Sequence, residues 1–164
     1  MRYTVGVTGH RTLKGKEEKV REKFKEFLLP ILEAHKEEGV EVNTGMALGF
    51  DQLVCRACVE LGVPYVAAVP CEAQDALWTP VQKELYSMLI EGADRVVLVT
   101  PGPYEAWKMH ARNAWIVKNS KEMIVHWDGV YSGGTGQCMK LVKAKMCHLK
   151  LLELERLRVE PLEQ

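Results

Sequence analysis

The feature that most limits the fold is an alternation of two hydrophobic periods. Short apolar runs of strand length are followed by longer stretches with helical spacing, about six times along the chain. The runs are Tyr3–Val7, Val40–Asn43, Tyr65–Val69, Arg95–Thr100, Met123–Trp127 and His148–Leu154. Among them Arg95-Val96-Val97-Leu98-Val99-Thr100 reads as the clearest buried strand. The helical stretches are Glu17–Glu38, Gly49–Leu61, Pro80–Glu91, Ala106–Asn119 and Gln137–Lys145. In the first, Val20, Phe24, Phe27, Leu28, Ile31 and Leu32 share one face, Gly39 stops the helix and Pro30 predicts a kink. This pattern predicts an α/β fold: a Rossmann-like three-layer sandwich with a mostly parallel sheet of about six strands and helices on both faces. The length of 164 residues suits one domain, residues 1–155, with a polar tail at 156–164.

Composition narrows the function. Lys plus Arg and Asp plus Glu are both 22, so the formal net charge is zero, which disfavours a protein that coats nucleic acid through a general basic field. No segment approaches the roughly 18 uninterrupted apolar residues of a membrane span. The N-terminus runs straight into a strand-like stretch, and a cytoplasmic protein is expected. Cys55 and Cys58 form a C-x-x-C inside a helical stretch, with no second pair at ligand spacing. Together with Cys71, Cys138 and Cys147 they read as buried thiols. Neither a metal nor a cofactor is expected.

In open α/β sheets, ligands bind outside the carboxyl ends of the strands. The small and polar residues of this chain gather there. Strand one is followed by Thr8-Gly9-His10-Arg11, and strand two by Thr44-Gly45-Met46-Ala47-Leu48-Gly49-Phe50-Asp51. After strand four comes Thr100-Pro101-Gly102-Pro103-Tyr104, and after strand five Asp128-Gly129 and then the turn Gly133–Gly136. Glycines at such turns let backbone N–H groups approach an anion. Turns that open helices add a partial positive charge suited to phosphate. Thr44 and Thr135 offer hydroxyls, and Arg11 and Arg112 are candidate phosphate forks. Asp51 fits two roles, ribose acceptor or helix cap. His10 fits a ring against a base, an acid/base group, or closure of the turn. Trp78, Trp107, Trp115 and Trp127 fit core or interface positions better than base-stacking platforms. There is no G-x-x-x-x-G-K-[ST] and no G-x-G-x-x-G, which argues against P-loop and standard NAD sites.

The set Gly6-Val7-Thr8-Gly9-His10-Arg11, Thr44 to Asp51, Ala93-Asp94, Arg112-Asn113 and Gly133-Gly134-Thr135 resembles the YpsA-like family of the SLOG superfamily, whose other branches include the DprA and LOG proteins. Gln74 and Trp78 match the family's Q-x-x-x-W. The resemblance covers about Tyr3 to Lys145. It implies a Rossmann-like fold and a ligand that is a nucleotide or nucleotide derivative. LOG relatives are phosphoribohydrolases, and DprA relatives bind single-stranded DNA. Dimers are common among the relatives, so a homodimer is a candidate assembly, with the Trp-rich helix Ala106–Asn119 as its interface.

One departure bears on chemistry. LOG enzymes carry P-G-G-x-G-T-x-x-E. Laid on Gly133-Gly134-Thr135-Gly136-Gln137-Cys138-Met139-Lys140, the glycine frame fits, but Gln137 replaces the Thr and Lys140 the Glu. A lysine cannot stabilise an oxocarbenium-like centre as a carboxylate does. The expected function is therefore a ligand-sensing or regulatory module. The expected ligand-binding set is Thr8, Gly9, His10, Arg11, Thr44, Gly45, Ala47, Gly49, Asp51, Gln74, Trp78, Tyr104, Arg112, Asn113 and Gly133 to Gly136. The alternatives are an N-glycosidic hydrolase using Asp51 or Asp128, and a single-stranded DNA binder.

Overall fold

A computed structural model of the chain describes residues 1–127, 133–145 and 148–151. Five strands, β1 (Tyr3–Gly9), β2 (Val40–Thr44), β3 (Tyr65–Val69), β4 (Arg95–Leu98) and β5 (Glu122–His126), alternate with five helices. The helices are α1 (Glu17–Ala34), α2 (Phe50–Leu61), α3 (Pro80–Gly92), α4 (Ala106–Lys118) and α5 (Gly133–Lys145). A short segment, β6 (His148–Leu151), pairs beside β5. The order across the sheet is β4-β3-β2-β1-β5-β6, and every described pairing is parallel. The chain therefore moves outward from β1 to β4, then returns to the other side of β1. Gly9 at the end of β1 stands in register with His126 at the end of β5. The crevice of a doubly wound sheet opens at such a reversal.

Two apolar layers enclose the sheet. Val20, Phe24, Leu28 and Ile31 of α1 meet Phe50, Leu53 and Val54 of α2 on one face, with Leu89 of α3. Ile116 and Val117 of α4 meet Cys138, Met139 and Val142 of α5 on the other. Phe24 and Phe50 pack edge to face, with ring centroids 6.1 Å apart. Local signals account for several helix ends. Thr79 and Gln82 form a reciprocal capping box before Pro80, and Gly62 ends α2 with a left-handed φ of 69°. The helix α1 ends at Ala34 and runs through the exposed Pro30. Cys55, Cys58 and Cys71 are buried free thiols, and Cys138 is buried. No described helix is long and apolar enough to cross a membrane.

Two expectations are corrected. β4, read as the clearest buried strand, lies at the end of the sheet, with Val96 48% and Leu98 41% exposed. An apolar run reports strand propensity but not strand order, and only order decides which strand is covered on both sides. Gly133–Gly136, read as a turn before a helix, is the first turn of α5 itself. Asp128, Cys147 and the tail at 156–164 lie outside the described residues.

Phe24 is fully buried where α1 meets α2. Phe24→Ala should lower unfolding free energy by about 3–5 kcal/mol in urea denaturation, the usual cost of emptying an aromatic site.

Candidate functional site

At the reversal, the end of β1, the loop after β2, the α4 face and the start of α5 enclose a cavity of about 200 Å³. Thr8, Gly9, His10, Arg11, Ala47, Asp51, Arg112, Asn113, Gly133, Gly134 and Thr135 line it. A second cavity of about 460 Å³ shares Arg11, Ala47 and Met109 with the first and continues to Gln74, Trp78 and Tyr104. The two form one elongated crevice, polar at one end and apolar at the other. Trp78 packs edge-on against Tyr86, with centroids 5.3 Å apart. Tyr104 and Leu77 are exposed. The loop bearing Tyr104 is fixed from below by Lys108, whose Nζ donates to the Pro101 and Pro103 carbonyls at 2.7 Å each.

The glycines divide into two kinds. A Cβ on Gly9 would sit 2.4 Å from the Phe50 ring, one on Gly45 2.5 Å from the Arg112 guanidinium, and one on Gly49 2.3 Å from the Arg11 carbonyl. These three are glycines because protein atoms fill the space. Phe50 N–H also donates to the His10 carbonyl at 3.0 Å, so the first and second loops form one backbone wall. Gly133 and Gly134 differ: a Cβ on either would meet nothing within 4 Å. Their backbone at the start of α5 is open to the crevice, where the helix offers N–H groups and a partial positive charge.

The charged residues are placed differently from their first reading. Arg112, expected as a phosphate fork, is 5% exposed. It donates to the Gly45 carbonyl, and its Nε donates to Asn113 Oδ1 at 3.1 Å. Asn113 Nδ2 in turn donates to Gln137 Oε1 at 3.1 Å and to the Gly134 carbonyl at 3.4 Å. From the other side, Tyr86 donates to Gln74 at 3.1 Å and Gln74 Nε2 donates to the Gly45 carbonyl at 3.1 Å. Arg112 thus lines the crevice and also braces the loop after β2, and Arg11 is the exposed arginine at its rim. Thr44 is likewise buried, its hydroxyl donating to the Asp51 carbonyl at 3.1 Å. Gly45 and Thr44 stand under the cavity, not in its wall. Gly136 is buried within α5. His10 lies edge-on to His126, with centroids 5.4 Å apart.

Asp51 is the most unusual group. It is 7% exposed at the start of α2. Oδ2 accepts from Ala47 N–H at 3.3 Å, and Oδ1 has no hydrogen-bond partner among the described residues. Burial pushes its pKa up from 3.8 to about 6, against the opposing pull of Arg112, the Ala47 N–H and Arg11. Burial also lowers the Arg112 pKa. The crevice is therefore lined by a carboxyl whose pKa burial raises to about 6 and whose Oδ1 is buried without a hydrogen-bond partner among the described residues.

Met109 and Ile116 line the cavity and were not foreseen. They stand at helical spacing from Arg112 and Asn113, so positions 109, 112, 113 and 116 share one face of α4. No cluster of three or more His, Cys, Asp or Glu able to hold a metal occurs among the described residues.

Folded Asp51 keeps its proton up to about pH 6, whereas the unfolded side chain loses it near 3.8. Between those values the folded state binds more protons, so stability falls as pH rises. Urea unfolding from pH 4 to 7 should show this loss, on the order of 2–3 kcal/mol from the shift. Asp51→Asn should flatten the slope; an unchanged slope would rule out Asp51 as its source.

The YpsA family model, described as the YspA SLOG family, matches residues 5–157. An uncharacterized SPbeta prophage-derived protein of Bacillus subtilis (strain 168), YoqJ, is 30% identical over 140 residues, covering 74% of this chain and 81% of that protein. Among solved structures, DNA processing protein A (DprA) of Streptococcus pneumoniae superposes with a TM-score of 0.69 at 20% identity, over 92% of this chain and 50% of its own. DprA of Helicobacter pylori gives 0.65 at 14% identity, over 91% and 64%. The protein TM1055 gives 0.58 at 17%, over 90% and 72%. This chain spans half to two-thirds of the two DprA proteins, and these likenesses show the shared fold. With a family match over nearly its whole length, the chain belongs to the YpsA family of SLOG proteins.

Proposed function

We propose that the chain is a regulatory module that binds a nucleotide or nucleotide derivative in the crevice beside β1 and β5. One observation carries the reading: Asp51, whose buried Oδ1 has no hydrogen-bond partner among the described residues, lines the same cavity as the exposed first residues of α5. A ribose hydroxyl at the Asp51 carboxyl supplies a donor there. A phosphate fits over Gly133, Gly134 and Thr135, with Arg11 at the rim. The base then lies toward Trp78 and Tyr104, where aromatic surface is available for stacking.

A second reading has its own support. A carboxyl titrating near pH 6 in a cleft suits general acid/base work, so Asp51 is the candidate for cleaving an N-glycosidic bond. Lys140 in place of the LOG glutamate weighs against it. Single-stranded DNA binding, named for the Helicobacter pylori DprA, draws support from the shared fold alone. A homodimer through α4 has the half-exposed Trp107 in its favour.

Thermal-shift titration with nucleoside mono-, di- and triphosphates, ADP-ribose and cyclic nucleotides tests the binding reading. No shift with any of them would sink it. Gly134→Val should weaken binding at least tenfold with an unchanged melting temperature, since its Cβ projects into open space. Gly45→Val should instead lower the melting temperature, by driving into Arg112. For the enzymatic reading, free base should appear on incubation with a nucleotide and vanish in Asp51→Asn.

A further inference from the structure

A third cavity, a groove of about 610 Å³, lies on the far side of the wall that joins His10–Arg11 to Gly49. It runs between the first turns of α1, the exposed side of α2 and the start of α3. Leu13 and Leu53 form part of an aliphatic floor. Arg11, Arg21 and Arg56 stand in its walls with one carboxylate, Glu17, so three positive charges face one negative. Arg21 is engaged, pairing with Glu18 at 3.2 Å and Glu60 at 3.4 Å. Arg11 and Arg56 are exposed, and Arg56 lies within electrostatic reach of Glu60, the carboxylate that also pairs with Arg21. Arg11 also lines both parts of the crevice. Arg11 therefore lines all three cavities.

We propose that the natural ligand is larger than a mononucleotide and carries a second phosphate-type group, which passes over Arg11 into the groove and is held there by Arg56 and Arg11. This rests on the nucleotide reading of the crevice. Guanidiniums are the side chains best matched to phosphate, through paired N–H donors in a fixed plane. The groove's excess of positive charge sits in a chain whose total is zero, so it is a local arrangement. Its volume exceeds that of either part of the crevice and leaves room for a further nucleotide unit. A ligand of dinucleotide class satisfies both regions: one unit between Asp51 and Trp78, the other beyond Arg11.

The full chain should be titrated calorimetrically with AMP, with the 5′-phosphorylated dinucleotide pApA, and with inorganic pyrophosphate. The dinucleotide should bind at least tenfold more tightly than AMP. Arg56→Glu should remove that advantage while leaving AMP affinity within twofold and the melting temperature unchanged, and Arg56→Lys should keep part of it. Equal affinities for AMP and pApA, or a dinucleotide affinity indifferent to Arg56→Glu, would overturn the spanning ligand and leave the crevice reading standing. Pyrophosphate that binds through Arg56 without weakening AMP, in a protein showing no preference for pApA, would assign the groove to a separate free anion and likewise overturn it. Failure of both AMP and pApA to bind would overturn this inference and the nucleotide reading together.

Discussion

Arg112 is almost wholly buried, and a guanidinium is tolerated inside a protein only where its donors and its charge are met. Here the Gly45 carbonyl and Asn113 take its N–H groups, and Asp51 supplies the nearby negative charge. Through these partners the side chain joins α4 to the loop after β2 and, by way of Asn113, to the start of α5. Gln74 and Tyr86 extend the same hydrogen-bonded line to α3. The loop positions around the crevice therefore depend on one largely buried cation. Gly45 lacks a side chain for the same reason.

Asp51 is the counterpart of this arrangement. Its carboxyl stands between the buried guanidinium and the open cavity, and burial holds its proton affinity high. Such an oxygen is costly in the empty protein, because a buried polar atom without a partner loses hydration and gains nothing in return. In the proposed complex a ligand donor relieves that cost. The start of α5 supplies the complementary property, exposed backbone at Gly133 and Gly134. The two features are contributed by α2 and α5, elements on opposite faces of the sheet, and only the reversal at β1 brings them to one place.

Much of this was legible in the residues. The alternation of periods located the five helices and the strands between them. The rule that loops after parallel strands share one edge gathers His10, Asp51 and Gly134, and Asn113 joins them through the family resemblance. What the chain did not disclose was depth. An arginine beside an asparagine on a helix looks the same whether it faces solvent or a buried carbonyl, so the sequence does not disclose that Arg112 is held against Gly45. The burial of Thr44 is hidden for the same reason. The position of β4 depends on strand order, which no local pattern encodes. Gly133–Gly136 read as a turn because glycine is a poor helix former, yet Asn113 at the Gly134 carbonyl and the burial of Thr135 and Gly136 hold those residues in the helix. The arginine groove was hidden inside the charge pattern of α1 and α2, where its members pass for a solvated face.

The wall between crevice and groove is backbone packed on backbone, with the Gly49 Cα against the His10 and Arg11 carbonyls and the Phe50 N–H bonded across the join. Two loops fastened in this way lose their freedom when the chain folds, and little remains for a ligand to order. Along this stretch of the rim, a proposed ligand would meet a wall already in place, with no closure of the loops after β1 and β2 to wait for. That stiffness also has a cost in discrimination, because these two loops would recognise a ligand only by the groups they already present.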